Sequence, residues 1–191
     1  MVIQGTFFYF SLAVLALPLI LQLKGKLSYK FIRGYFWLIF AITAAYLSAL
    51  SYLQFRAFQE GPLGLTLGTQ SGIFWFANYV RLHFWNQYLV AFIFAMLILW
   101  LAEYLNKKRG EIFMEKEELY VAALGIFLVG YPGFLFYIAF ILIVPAIAAA
   151  VFLKRGDRLP LYYFWLPTAI VILMAVQTWA MTQGWWNTFR F

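Results

Sequence analysis

The chain has 191 residues, of which 65% are hydrophobic and 11% are charged. An ordinary soluble domain is roughly a quarter charged, so this chain has too few polar residues to cover its apolar surface in water. It has no cysteine and a single histidine, His83, which excludes disulfides, thiolate sites and the HExxH type of zinc site. We therefore expect no metal and no cofactor.

The apolar stretches predict membrane-crossing helices, because the backbone in lipid must pair its own polar groups. A β-barrel would alternate in polarity, whereas residues 12–21, 89–102 and 135–153 are apolar on every face. Against the ~20 residues that a crossing helix needs, six stretches qualify: 5–23, 34–53, 86–105, 119–130 with its flanks, 134–153 and 161–182. The sequence predicts an all-α, polytopic membrane helix bundle of six to seven spans, forming one domain over 1–191.

The number of spans depends on residues 67–85, whose second half carries Asn78, Arg81 and His83. Three basic clusters flank the spans, at 24–33, 107–116 and 154–158. If 67–85 does not cross, all three clusters face the cytoplasm, as the positive-inside rule favours. If it crosses, the first cluster lies on the opposite side. The net charge of +7 is explained by these juxtamembrane clusters, so nucleic acid is not an expected partner.

Two groups of charged residues are candidate sites. Glu115-Lys116-Glu117-Glu118 precedes the fourth apolar stretch, where acids either favour the positive end of a helix dipole in a solvated loop or point into a site at the membrane surface. Asp157 and Arg158 lie in the loop before the last stretch, as a cytoplasmic turn or a contact for lipid headgroups. A Tyr131-Pro132-Gly133 turn is predicted to separate two antiparallel helices.

The second half of the chain resembles the prepilin peptidases, membrane aspartyl proteases of the type IV leader peptidase family. The resemblance rests on Leu97-Ile98-Leu99-Trp100-Leu101, Glu117-Glu118-Leu119-Tyr120-Val121, Ala122-Ala123-Leu124-Gly125, the Tyr131-Pro132 turn and the proline-containing stretch 159–167. It covers roughly residues 35–175. The family's Gly-x-Gly-Asp motif falls on 114–117, so Glu117 replaces the second catalytic aspartate and neither glycine is present. Gln54 stands where the first aspartate is expected.

The resemblance implies a scaffold that keeps both catalytic positions at the cytoplasmic face, which requires 67–85 to cross and gives seven spans. Gln54 cannot titrate, and Asp157 is the only aspartate in the chain, so a pair of aspartates is impossible. We expect a proteolytically inactive relative that binds a hydrophobic helix or pilin leader, with Glu60, Glu118, Asp157 and Arg158 as binding residues. Residual proteolysis would require glutamates, for example Glu60 with Glu117, in place of aspartates.

Two other functions fit the same composition. One is a small-solute or lipid-handling component of a transporter, with a polar cavity near Asn78 and Arg81. The other is an accessory subunit of a membrane complex, with small residues at 41–45 or 146–150 packed against another chain. In each case the chain is expected in a prokaryotic inner or plasma membrane, with membrane lipids, a prepilin-like peptide or other membrane subunits as partners.

Overall fold

The computed structural model describes residues 2–61, 64–108, 114–152, 161–179 and 182, without the side chains of 2–6, 65–66 and 148–152. Every regular element in these ranges is helical, which confirms the predicted all-α class. The elements are α1 (Val2–Leu23), α2 (Tyr29–Glu60), α3 (Gly64–Leu67), α4 (Gln70–Val80), a π-helical turn (Arg81–Trp85), α5 (Asn86–Lys108), α6 (Lys116–Val129), α7 (Gly133–Phe152) and α8 (Tyr162–Thr178).

Residues 67–85 do not form a separate crossing helix. From Gln70 to Lys108 the chain is one continuous 39-residue helix that joins α4, the π-helical turn and α5, called here the long rod. Its polar residues do not interrupt it, because Arg81 donates to Oδ1 of Asn78 at 2.9 Å and Nδ1 of His83 lies 2.9 Å from the Tyr79 carbonyl oxygen. The expected seventh helix over residues 67–85 is therefore not formed as a separate element, and the described residues contain six long helical segments.

Two of these segments, α2 and the long rod, are long and apolar enough to cross a membrane. At 1.5 Å per residue they measure about 48 and 58 Å, against a hydrocarbon layer of about 30 Å. The Phe7 ring near the start of α1 lies 6.4 Å from the ring of Tyr46 and 4.6 Å from that of Tyr88. Beyond Tyr46 on α2 and before Tyr88 on the long rod, these two helices extend past the other helices as a helical hairpin.

Helix α6 lies at the centre of the bundle and is buried on every face from Glu118 to Val129. It packs against α1, α2, α5, α7 and α8. A side chain at Gly125 would place a Cβ 2.7 Å from Cζ of Tyr137 on α7, so this position has no room for one. The Ala-Ala-Leu-Gly stretch is thus a site of close helix packing.

The surrounding helices expose large apolar side chains. Leu38 on α2, Ile93 on α5 and Leu142 on α7 are each more than half exposed. A buried central helix enclosed by helices with apolar outer faces is the arrangement expected where lipid, and not water, covers the exterior.

The predicted turn between α6 and α7 is confirmed. Gly130 adopts φ +70°, a left-handed conformation that glycine tolerates, and the Tyr131-Pro132 peptide bond is cis. The Tyr131 amide donates to the Gln87 carbonyl at 3.2 Å, which ties this turn to the long rod.

The opposite end of the bundle carries the described residues of two basic clusters, 24–33 and 107–116, and is called here the basic end. At this end α1 and α5 terminate, and α2, α6 and α8 begin. Gln22 Nε2 donates to the Tyr162 carbonyl at 2.6 Å, while Asn106 exchanges hydrogen bonds with the Met114 backbone at 2.6 and 2.9 Å. Its described basic residues are Lys24, Lys26, Lys30, Arg33, Lys107, Lys108 and Lys116. The described residues of the 24–33 and 107–116 clusters therefore lie at the same end of the bundle.

Candidate functional site

The acidic run at the start of α6 is a helix cap. Glu115 is the N-cap residue, and it forms a capping box with Glu118, whose Oε2 accepts from the Glu115 amide at 3.4 Å. Such a box satisfies amide groups that a helix start leaves unpaired. The other oxygen of Glu118, Oε1, accepts a hydrogen bond from Nε1 of Trp165 on α8 at 2.7 Å. The Glu118 carboxylate thus joins α6 to α8.

Glu118 is buried, with 6% of its surface exposed. Its two carboxyl oxygens are both hydrogen-bonded there, one to the indole N–H of Trp165 and the other to the Glu115 amide. The residue was expected in a solvated loop or a surface site, and the structure instead encloses it between helices.

Glu117 accepts a hydrogen bond from the start of α2. Its Oε1 accepts a hydrogen bond from the backbone amide of Tyr29, the first residue of α2, at 3.2 Å. A carboxylate at this point faces the positive end of the α2 dipole. Glu117 therefore ties the start of α2 to the start of α6.

Gln54 lies far from Glu117. Glu117 contacts the first residue of α2, and Gln54 is 25 residues further along the same uninterrupted helix, which corresponds to about 37 Å at 1.5 Å per residue. The two positions that were expected to form a catalytic pair are at opposite ends of α2, and the structure does not bring them together.

Glu60 cannot substitute for Gln54. It is the last residue of α2, it is exposed, and it forms an ion pair with Arg56 at 3.0 Å. That position is further still from Glu117, so the alternative glutamate pair is not formed either. Asp157 and Arg158, the other predicted binding residues, lie outside the described residues. Within the described ranges, no three His, Asp or Glu side chains are grouped closely enough to hold a metal ion.

A second feature is a crevice of about 250 Å³ between α1 and α2. Its walls are formed by the side chains of Phe7, Phe10, Ile42, Thr43 and Tyr46. A smaller cavity of about 60 Å³ lies nearby, beside Phe7, Tyr88 and Val176. Among the residues that the structure describes, no charged side chain lines the crevice.

Sequence reasoning missed several buried contacts at the basic end. The spacing Glu115-x-x-Glu118 before an apolar run is the capping-box pattern and was a usable signal for the cap. Nothing local indicated Trp165 as the partner of Glu118, or Gln22 and Asn106 as buried polar residues. Comparisons of the chain with family models, with curated proteins and with solved structures give no match.

Proposed function

We propose that this chain is a six-span integral membrane protein without protease activity, which packs against a transmembrane helix of a partner membrane protein as an accessory subunit. The observation that carries the proposal is the separation of Gln54 from Glu117 along α2. An aspartyl-type mechanism needs two carboxyls that share a proton. Gln54 lies about 37 Å along α2 from the residue that Glu117 contacts, so these two positions do not form such a pair. The proposal therefore uses no site from the peptidase resemblance.

The membrane location is supported by the two long apolar segments and by the charge distribution. Both described basic clusters lie at the basic end, the distribution that the positive-inside rule associates with the cytoplasmic side. In this orientation the hairpin of α2 and the long rod extends on the side of the membrane opposite the cytoplasm. This orientation needs only six crossings and places both basic clusters of the described ranges on the cytoplasmic side.

The partner surface in this proposal is the outer face of α2. Ala41, Ala45 and Ala49 recur at every fourth residue, and all three are exposed. Small residues at this spacing let the backbones of two transmembrane helices approach closely, and they are enriched where such helices associate. Apolar Leu38 and Leu53 on the same helix are also more than half exposed.

The first experiment tests orientation in the membrane. Because the chain has no cysteine, single substitutions Lys26→Cys and Glu60→Cys each introduce one thiol, at the basic end and at the hairpin tip. A membrane-impermeant maleimide applied to intact cells should label Glu60→Cys, and should label Lys26→Cys only after the cells are opened. Labelling of both from outside, or recovery of the chain in the soluble fraction, would contradict the proposal.

The second experiment tests activity and partner. The chain reconstituted with a prepilin should leave the leader uncleaved, whereas cleavage that Glu117→Ala abolishes would show an active enzyme. A photo-crosslinking residue placed at Ala45 in cells should give one discrete protein adduct. The same residue at Leu142, exposed on α7, is the matched control and should give none.

The transporter alternative has less support. Asn78 and Arg81 were expected to border a polar cavity, but both are exposed and are hydrogen-bonded to each other. The apolar crevice between α1 and α2 favours contact with lipid over transport of a polar solute.

A further inference from the structure

We propose that the crevice between α1 and α2 is a binding site for one acyl chain of a bilayer lipid. This inference rests on the membrane location proposed above, and it adds a ligand and a site to it. The walls of the crevice are the aromatic rings of Phe7, Phe10 and Tyr46 together with Ile42 and Thr43. Among the described residues, no charged group lines the crevice, so its walls suit a hydrocarbon better than a headgroup or an ionic solute.

The position of the crevice along α2 indicates that this hydrocarbon is a lipid acyl chain. On α2 the large exposed apolar side chains run from Phe31 to Leu53, a length of about 33 Å at 1.5 Å per residue, which matches the ~30 Å hydrocarbon layer. Ile42 lies midway between them and is 42% exposed. The crevice thus opens within the apolar band of α2, where acyl chains are the solvent.

The crevice lies between two helices that pack mainly against other neighbours, α1 against α8 and α2 against α6. Nearer the basic end the two helices are joined, since the Tyr35 hydroxyl donates to the Val14 carbonyl at 2.9 Å. The gap between the two helices is filled only in part by the rings of Phe7 and Tyr46, which lie 6.4 Å apart.

The width of the crevice favours an acyl chain over a helix. Two of its lining rings, Phe7 on α1 and Tyr46 on α2, lie 6.4 Å apart, whereas an α-helix with its side chains is about 10 Å wide. A partner helix can therefore lie across the mouth of the crevice, and a single acyl chain is the narrower occupant.

The test uses the full chain in phosphatidylethanolamine and phosphatidylglycerol vesicles that contain a lipid with a diazirine at mid-chain. After illumination, lipid adducts should concentrate on the peptides that contain Phe7, Phe10 and residues 42–46. Ile42→Trp places a large ring at the mouth of the crevice and should abolish these adducts. Leu38→Trp, one turn away on the exposed side of α2, is the matched control and should keep them.

The outcomes separate this inference from the proposed function. Adducts spread evenly over the exposed side chains of α7, or unchanged by Ile42→Trp, would overturn the acyl-chain site while leaving the membrane protein intact. Failure of the chain to insert into the vesicles would overturn the proposed function itself. If Ile42→Trp is not recovered folded, the location of the adducts on the unaltered chain decides the question alone.

Discussion

The indole nitrogen of Trp165 donates a hydrogen bond of 2.7 Å to Oε1 of Glu118, and both side chains are buried. The two residues are 47 positions apart and belong to α8 and α6. Because Glu118 also closes the capping box of α6, one carboxyl group both starts the central helix and fixes its neighbour. The acid that suggested chemistry in the sequence performs a structural task.

Replacing Glu118 by alanine should destabilise the fold. The substitution leaves the Trp165 N–H buried without its acceptor, a loss that costs about 1–3 kcal/mol in unfolding free energy. Glu118→Gln keeps a carbonyl acceptor at the same distance along the side chain and should cost less. Denaturant unfolding in detergent micelles, followed by helical circular dichroism, measures both.

The matched control for Glu118 is Glu60→Ala. Glu60 is exposed and paired only with Arg56, so its loss should change the unfolding free energy by no more than about 0.5 kcal/mol. Equal effects of the two alanine substitutions would show that the contact with Trp165 contributes nothing.

Gly125→Ala should destabilise the contact between α6 and α7. The added methyl would stand 2.7 Å from Cζ of Tyr137, a buried ring whose hydroxyl donates to the Trp165 carbonyl at 3.2 Å. Overpacking of this kind costs about 1–3 kcal/mol. Combining it with Tyr137→Phe, which removes the nearest atom, should recover part of the loss in a double-mutant cycle.

The control for Gly125 is Gly34→Ala on the exposed face of α2, where an added Cβ meets nothing within 4 Å. Alanine is the better helix former, so this substitution should leave stability unchanged or raise it by up to about 1 kcal/mol. A loss at Gly34 as large as that at Gly125 would argue against close packing as the cause.

The separation of Gln54 from the start of α6 can be measured directly. Spin labels on Lys116→Cys and Gln54→Cys should lie about 37 Å apart by pulsed electron resonance, the rise of 25 residues in an α-helix. The pair Lys116→Cys and Lys30→Cys, both at the basic end, should give a much shorter distance. Equal short distances for both pairs would restore the peptidase arrangement.

The six helical segments were largely predictable from the sequence, because hydropathy is a local property and long apolar stretches without alternating polarity favour helices. The turn at Tyr131 and Pro132 was predictable for the same reason, since its residues stop a helix themselves. The segment 67–85 was not, because Arg81 and His83 were read as interruptions. In the structure they bond within their own helix, to Asn78 and Tyr79.

The candidate site depended on information that no local pattern contains. Composition and charge determined that this chain is helical, that it has no cysteine chemistry and that its basic residues flank apolar spans. Only the tertiary structure decided that Glu117 meets the first residue of α2 and that Gln54 lies at the far end of that helix. The spacing of two residues along a sequence does not fix their distance in space, because one uninterrupted helix or one reversal of the chain changes it by tens of ångströms.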